Sequence, residues 1–220
     1  MYPHLSPDNT LVSSYILDFQ SHNGDIWISD LAPHRRTRFT FSPAVELNSV
    51  WSPDGRSLIF DSNKEGPSNL YQKTTSGNGE ETLLLRSAHD KNPCDCSKDG
   101  KFLLYQENNP QSTQFDLFVL PLYGNREPAP FLQTEFNEIG GRFSPDVRWV
   151  AYVSDESGQN EVYIRSFQAP NTQSVPNKGA ISGEQRQVSI SGGDSPRWRG
   201  DGKEIYYFSA DNCPVGCERL

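Results

Sequence analysis

The fold is decided by one stretch of sequence, Trp51-Ser52-Pro53-Asp54-Gly55-Arg56-Ser57-Leu58-Ile59-Phe60. Its middle has the chemistry of a tight turn. Pro53 presets φ, Asp54 hydrogen-bonds its local backbone, and Gly55 takes a positive φ at no steric cost. An apolar residue precedes the turn and an apolar run follows it. The stretch therefore predicts two strands joined by a tight turn.

The same pattern recurs along the whole chain, at residues 5–12, 96–105, 143–152 and 198–207. The position held by Ser52 falls at residues 6, 52, 97, 144 and 199, so the steps are 46, 45, 47 and 55 residues. A period of about 40–45 residues is typical of a four-stranded propeller blade. Each of the first four copies is followed by a run of alternating side chains that contains an aromatic residue, and this run supplies the third strand. A short run then closes the unit and supplies the fourth strand.

We therefore predict an all-β chain, a β-propeller of four-stranded antiparallel blades with about four and a half blades present. The expected blades lie near residues 2–40, 48–86, 92–133 and 139–190, with a two-stranded partial blade at 195–209. Residues 210–220 leave the pattern and are expected to form a divergent tail. The loop from Ala169 to Gln185 explains the 55-residue step, as either a binding insertion or a disordered excursion.

The register of the repeat assigns roles to unusual residues. Cys96 occupies the position that Trp51 holds, and we expect it to be a buried, reduced thiol without a metal. Val147 occupies the position of Gly55. Because valine tolerates a positive φ poorly, we expect a different turn type there.

Turn roles are assigned to a set of repeated residues: Pro53, Asp54, Gly55, Asp99, Gly100, Pro145, Asp146, Asp201 and Gly202. A ring of carboxylates that binds a cation is the alternative interpretation of the aspartates. Local turn hydrogen bonds are the simpler one. A zinc site or two disulfides can be drawn from Cys94, Cys96, Cys213 and Cys217, but their spacing fits no common zinc pattern. We predict no metal and no cofactor.

Composition excludes several classes of function. The formal net charge is −8, and no basic cluster occurs beyond residues 34–38, which argues against nucleic-acid binding. No segment approaches the ~20 apolar residues of a membrane span. Residues 1–7 do not resemble a signal peptide. The sequence contains no Gly-x-Ser-x-Gly elbow and no protein-kinase motif, so we predict no catalytic residues.

Binding is the class of function that remains. Propellers bind at the mouth of the central channel, through the loops that lead into the innermost strands. Those loops give the candidate ligand-binding residues Asn48, Asn92, Glu138 and Asp194. Solvated turns are the alternative interpretation of the same polar residues. The expected partner is an unidentified protein or small molecule.

The repeats resemble the TolB-like, or PD40, repeats of WD40-like propellers over about residues 2–209. Four stretches, at residues 83–85, 115–122, 152–158 and 196–204, are more specific. They are similar to the C-terminal propellers of bacterial membrane-bound serine/threonine kinases. That resemblance implies a ring of six blades, an extracytoplasmic location and a sensor role, with this chain as a fragment of a receptor-type kinase.

Two other classes of parent protein carry similar propellers. Prolyl-oligopeptidase-type serine peptidases carry similar propellers, so an accessory propeller that lacks its catalytic domain is the alternative hypothesis. A periplasmic TolB role would require a signal peptide and an N-terminal α/β domain, and neither is found in this sequence.

An incomplete ring exposes two apolar blade faces. The repeat register places one at Leu5, Leu11 and Val12 and the other at Trp198, Ile205 and Tyr207. We expect the isolated chain to be marginally stable, or to self-associate through these faces.

Overall fold

The computed structural model describes residues 3–18, 20, 23–76, 79–109, 114–170, 183–211 and 213–219, without the side chains of residues 109 and 215–219. Within these ranges the chain forms β-strands and no helix, so no helix is available there to cross a membrane. The chain divides into two compact units, Met1–Cys96 and Ser97–Leu220.

The first unit contains two four-stranded antiparallel sheets and one further strand. The first sheet is β1 (His4–Leu5), β2 (Leu11–Asp18), β3 (Asn23–Asp30) and β4 (Arg36–Arg38), in that order. The second is β5 (Glu46–Trp51), β6 (Ser57–Ser62), β7 (Asn69–Thr74) and β8 (Thr82–Leu85). Strand β9 (Lys91–Cys96) lies against β5, β6 and β7.

The second unit is also built of antiparallel sheets. Strands β10 (Phe102–Asn109), β11 (Gln114–Pro121) and β12 (Ala129–Leu132) form an antiparallel meander. A four-stranded sheet follows, with β13 (Glu138–Phe143), β14 (Trp149–Ser154), β15 (Glu161–Ser166) and β16 (Gln185–Gln187). The last sheet is β17 (Asp194–Trp198), β18 (Glu204–Phe208) and β19 (Pro214–Arg219).

The prediction of all-β structure built from four-stranded antiparallel sheets is confirmed. Within each unit the first strands of successive sheets contact one another: β1 with β5, β5 with β9, and β13 with β17. The predicted two-stranded remnant is instead three-stranded, because β19 forms inside the predicted tail and pairs with β18. Residues 171–182 of the long loop lie outside the described residues.

Sheets pack face to face through aromatic and branched side chains. In the first unit, Ile26 and Phe39 meet Trp51, Leu58 and Phe60 in one buried cluster. The indole N–H of Trp51 also donates a hydrogen bond of 2.9 Å to the carbonyl oxygen of a β1 residue in the preceding sheet. The indole that is equivalent in the repeat, in β17, makes the same bond of 3.0 Å to a β13 carbonyl. Each buried donor is therefore satisfied where two sheets meet.

The prediction for Cys96 is wrong in one respect. Trp51 is buried, with 7 % of its surface exposed, whereas Cys96 is only half-buried. A thiol is too small to cover the area that an indole covers at this position. The buried cysteine is Cys94, and the side chain of Cys217 lies outside the described residues.

The turns are closed by a repeated pair of side-chain hydrogen bonds. In four copies the serine hydroxyl donates to the aspartate two residues later, over 2.6–2.7 Å. The same hydroxyl accepts the backbone N–H that opens the next strand, over 2.9–3.0 Å. In the fifth copy Arg199 replaces serine, and its Nε donates to Asp201 over 2.7 Å. These bonds lower the pKa of Asp54, and that of Asp201 to about 2.

The expectation of a different turn at Val147 is wrong. Val147 has a φ of 59°, close to the 68° of Gly55. Its N–H donates to the Ser144 carbonyl oxygen over 2.9 Å, just as that of Gly55 donates to the Ser52 carbonyl oxygen. The hydrogen-bonded turn therefore overrides the backbone preference of valine, at a local cost in strain.

We expect Val147→Gly to stabilise the protein by about 1 kcal/mol, because relief of left-handed strain exceeds the entropy cost of glycine. Urea unfolding of the two proteins measures the difference. Gly55→Val is the matched control. It introduces the same strain in an equivalent turn, where a Cβ would meet Pro7 Cδ at an ordinary van der Waals distance of 3.8 Å, and it should destabilise by a similar amount. Equal stability of Val147→Gly and the wild type would contradict the strain.

The exposed face of the last sheet differs from the predicted one. Trp198, Ile205 and Tyr207 pack against the cluster formed by the preceding sheet, and Ile205 is completely buried. Because side chains alternate along a strand, Tyr206 and Phe208 point the other way, and both are exposed. In the first sheet, likewise, Leu11 packs against the core while Leu5 is exposed.

Self-association through Tyr206 and Phe208 remains a prediction. We expect the 220-residue chain to elute from a sizing column as a concentration-dependent oligomer. The double variant Tyr206→Ser and Phe208→Ser should shift it to a monomer. Tyr123→Ser, an exposed tyrosine elsewhere in the second unit, is the control and should leave the elution unchanged. A wild-type chain that is monomeric at all concentrations would refute the idea.

Candidate functional site

Each sheet has two distinct ends. The Ser-Pro-Asp-Gly-type turns lie at one, here called the turn end. At the other end the chain enters the first strand of the sheet. In three sheets a β-bulge interrupts the first strand at this end. We call this the bulge end. The bulges carry left-handed residues at one repeat position, Asn48 (φ 32°), Gly140 (φ 65°) and Ser195 (φ 54°). The equivalent residue of β9 is Pro93, whose ring forbids a positive φ.

Bulges redirect side chains and are common beside binding sites. Here they occur at the same ends of the first strands for which the sequence analysis predicts ligand binding. Charged residues accompany them at one repeat position, five residues before the position of Trp51. Glu46, Lys91 and Glu138 occupy it, and each is at most 1 % exposed. A buried charge is costly unless it is paired or neutralised, so each of the three needs an explanation.

Lys91 is hydrogen-bonded within its own unit. Its Nζ donates to the His89 carbonyl oxygen over 2.6 Å and, more weakly, to Asn69 Oδ1 over 3.4 Å. Asn69 is itself fully buried, and it also accepts the backbone N–H of Ser87 over 3.1 Å. The lysine is therefore held in place as part of a local network in the first unit.

The carboxyls of the first unit are less well satisfied. Asp61 is 2 % exposed, and its Oδ1 has no hydrogen-bond partner among the described residues. Burial raises the pKa of Asp61 to about 8, despite a lowering effect of the Asn48 side chain. Burial likewise raises the pKa of Glu46, whose Oε1 accepts the Ser62 hydroxyl over 3.4 Å. We infer that Asp61 is a neutral acid at pH 7.

The second unit has a corresponding pair. Glu138 accepts a short hydrogen bond from the Thr134 hydroxyl, while its Oε2 is unpartnered within the described ranges. Burial raises the pKa of Glu138 to about 7, and the neighbouring carboxylate of Asp116 raises it further. Asp116 accepts the Gln133 amide over 3.1 Å, and burial raises its pKa too. Glu138 therefore changes charge near neutral pH.

Glu161 shows what a satisfied buried carboxylate looks like in the same sheet. It accepts the backbone N–H of Gly192 over 2.8 Å, the Gln159 amide over 2.6 Å and a short bond from the Ser189 hydroxyl. Burial acts to raise the pKa of Glu161, but these hydrogen bonds outweigh it and the net shift is downward. Its role is structural, because it ties β15 to the segment before β17.

The four predicted ligand residues all lie at the bulge end, two in each unit. Asn48 and Asn92 are half-buried in the first. In the second, Glu138 is buried and Asp194 is exposed, accepting the Ser195 hydroxyl over 3.0 Å. Asn48 and Asp194 are therefore accessible to solvent, whereas Glu138 is not.

Sequence reasoning missed most of the buried polar groups of this end, namely Glu46, Asp61, Lys91 and Asp116. The sequence carried a signal for Glu46 and Lys91, because each is a charged residue five positions before the repeat position of Trp51. Among the described residues, no group of three or more His, Cys, Asp and Glu side chains is placed to hold a metal ion. The arrangement can hydrogen-bond a ligand and exchange protons with it.

The repeats, the sheet order and the closed turns define a β-propeller of TolB-like repeats. No protein-family model matches the chain. It is 25 % identical over 135 residues to the Tol-Pal system protein TolB of Helicobacter pylori (strain J99), a match that covers 60 % of this chain and 32 % of that protein. The corresponding protein of Wolinella succinogenes is 24 % identical over 144 residues, or 64 % and 33 % of the two chains.

Solved structures agree on the fold. TolB from Acinetobacter baumannii superposes with a TM-score of 0.74 at 18 % identity, over all of this chain and 54 % of that one. Prolyl oligopeptidase B from Galerina marginata superposes with a TM-score of 0.58 at 14 % identity, over all of this chain and 35 % of the peptidase. This chain spans about a third of the length of the curated relatives it matches.

The pKa of Asp61 predicts how stability depends on pH. Its folded pKa of about 8 exceeds the usual 3.8, so its contribution is complete below pH ~4 and is lost as the pH rises toward 8. We expect the free energy of unfolding to fall by up to about 1.4 kcal/mol per pH unit across this window. In Asp61→Asn this loss should disappear, which makes the variant more stable than the wild type at pH 8.

Asp54→Asn is the control, because the pKa of Asp54 is lowered, first by its hydrogen bond from Ser52. Its contribution is present above pH ~4 and is lost on acidification. Denaturant unfolding at pH 5, 6.5 and 8 separates the two cases. A loss of stability in Asp61→Asn at pH 8 would contradict a neutral, buried acid.

Proposed function

We propose that this chain is a non-catalytic binding domain that holds a partner protein at the bulge end of its first strands. The observation that carries the proposal is the repeated left-handed bulge of Asn48, Gly140 and Ser195. Asn48 and Ser195 hold a left-handed conformation that is unfavourable for residues other than glycine, and strain of this kind concentrates where a surface is shaped for a ligand. The bulges bring polar side chains, including exposed Asp194, to the surface.

The chemistry of the bulge end favours a protein partner. Asn48 and Asn92 offer amide donors and acceptors, and Asp194 offers a carboxylate, all suited to backbone and side-chain hydrogen bonds across a wet interface. Buried Glu138, with a pKa of about 7, gives the interface a charge that varies near neutral pH. The TolB relatives are named for the Tol-Pal system, which supports an assembly role for this chain as well.

Two parent proteins fit such a domain. A receptor-type serine/threonine kinase is indicated by the four sequence stretches described above. An accessory propeller of a prolyl-oligopeptidase-type peptidase is favoured by the structural similarity to the Galerina marginata enzyme. The open reading frame on either side of this chain distinguishes them: a kinase domain and a membrane span support the first, and a downstream Gly-x-Ser-x-Gly domain supports the second.

Site-specific photocrosslinking tests the binding role. A photoreactive amino acid is placed at Asn92 or Asp194 of the full-length parent, in the native host. The controls carry it at Arg36 or Thr82, exposed residues on the outer strands β4 and β8. We expect both bulge-end positions to crosslink to the same protein, and neither control to do so.

The captured protein is then purified and its affinity measured. Asp194→Arg should weaken binding at least about tenfold, because it reverses a charge at the interface. Crosslinks formed only at the outer-strand positions Arg36 and Thr82 would refute binding at the bulge end. An affinity that Asp194→Arg leaves unchanged would refute it as well.

A further inference from the structure

A surface concavity lies at the turn end of the second unit, opposite its bulge end. It is a groove of about 530 Å³ between the turn that joins β13 to β14 and the turn that joins β17 to β18. Two tryptophans, Trp149 and Trp198, and three cations, Arg148, Arg186 and Lys203, line it. Its volume is in the range of ligand pockets, and none of the bulge-end residues takes part.

The two tryptophans play different roles. The indole N–H of Trp198 is committed, since it donates to the Arg142 carbonyl oxygen over 3.0 Å. Trp149 is half-buried, and its indole N–H has no hydrogen-bond partner among the described residues. The guanidinium of Arg186 lies 5.9 Å from the centroid of the Trp149 ring. The groove therefore offers a flat apolar surface with a free donor at its edge.

The charges of the groove favour an anionic ligand. Both carboxylates that line it are neutralised inside their own turns: Asp146 by Arg148 over 2.6 Å, and Asp201 by Arg199 over 2.7 Å. Arg186 is likewise paired, because its Nε donates to Glu184 over 2.8 Å. No ion pair or hydrogen bond holds the ammonium of Lys203 within the described part of the chain. The lining charge that is left for a ligand is therefore positive, on a protein whose formal net charge is −8.

The first unit provides an internal comparison. The equivalent groove between its first two turns measures about 290 Å³ and is lined by Asp8 and Asp54, with no cation. Leu11 lies there at the repeat position of Trp149. A groove at the turn end is thus a consequence of the repeat. The indole surface and the positive charge belong to the second unit.

We propose that the groove of Trp149 binds an extended acidic segment of a partner protein, in which a proline or another flat apolar residue lies next to carboxylates. A proline ring packs on an indole face, and the indole N–H donates to a carbonyl oxygen of the extended chain. A carboxylate next to the proline pairs with the ammonium of Lys203. The charge of the groove thereby selects against basic segments of the same shape.

Fluorescence anisotropy with labelled peptides tests this proposal. The probes are Asp-Pro-Pro-Asp-Pro-Pro-Asp, its counterpart with lysine in place of aspartate, and its counterpart with glycine in place of proline. We expect the acidic proline peptide to bind, with an affinity that falls as salt is raised. The basic peptide should not bind, and the glycine peptide should bind at least about fivefold more weakly, because it lacks the flat apolar contact.

Matched variants assign the binding to the groove. Trp149→Leu introduces leucine, which is the residue at the equivalent repeat position of the first unit, Leu11. This variant should lower the affinity about tenfold. Lys203→Gln should lower it about threefold and reduce the dependence on salt. Trp27→Leu, at a half-buried tryptophan of β3, is the control for the indole. Lys101→Gln, the lysine at the same position of another turn, is the control for the charge.

The outcomes separate clearly. Loss of binding in Trp149→Leu and Lys203→Gln, with both controls unchanged, supports the proposal. Absence of binding by the acidic peptide to the wild type overturns it, as does equal binding by all variants or by the basic peptide. If Trp149→Leu fails to fold, as judged by circular dichroism, Lys203→Gln and the salt dependence still decide. Because the bulge-end residues take no part, failure here leaves the crosslinking experiment unaffected.

Discussion

Burial of one sheet against the next is the interaction on which the rest of this protein depends. A four-stranded sheet with apolar residues on both faces cannot hide them by itself. The six residues of β6 are all buried, which is possible only for a strand that is covered on both sides. The hydrogen bond from the Trp51 indole to the β1 carbonyl ties the same contact together with a polar group. Stability is thus a property of stacked sheets.

This dependence explains why the two ends of a sheet can differ so much. The turn end closes on itself, because the serine hydroxyl and the aspartate satisfy the backbone within six residues. The residues that flank it differ in their ties to the fold, because Trp149 packs against the buried cluster of the second unit, whereas Lys203 makes no ion pair among the described residues. Even Val147 is held in a left-handed conformation by the same hydrogen bonds.

The bulge end carries the energetic cost. Carboxyls with unpartnered oxygens, such as those of Asp61 and Glu138, are buried where the first strands begin. Their raised pKa values show that the fold favours the neutral acid, which is the cheaper form in a low-dielectric site. Glu161, with three hydrogen-bond donors, shows that the chain can satisfy a buried carboxylate. Asp61 Oδ1 and Glu138 Oε2, each at the bulge end of its own unit, have no such donor among the described residues.

The sequence by itself determined the class of the fold, the strand order within each repeat and the chemistry of the turns. All three follow from local rules: side-chain alternation, turn preference and a fixed period. It could place Asn48 and Asp194 at one end of the first strands for the same reason. It misjudged Val147 and Cys96, because propensity and register say nothing about how well a neighbour fills space.

Only the tertiary structure decided which groups are desolvated and which face is covered. Ile205 and Tyr206 are adjacent in sequence, yet one is buried and the other exposed, since only one side of β18 meets another sheet. The buried state of Asp61 and the groove of Trp149 arise in the same way, from side chains brought together by packing between strands that are distant in the chain. Such contacts fix solvent access, and solvent access sets pKa and ligand chemistry, which no local pattern encodes.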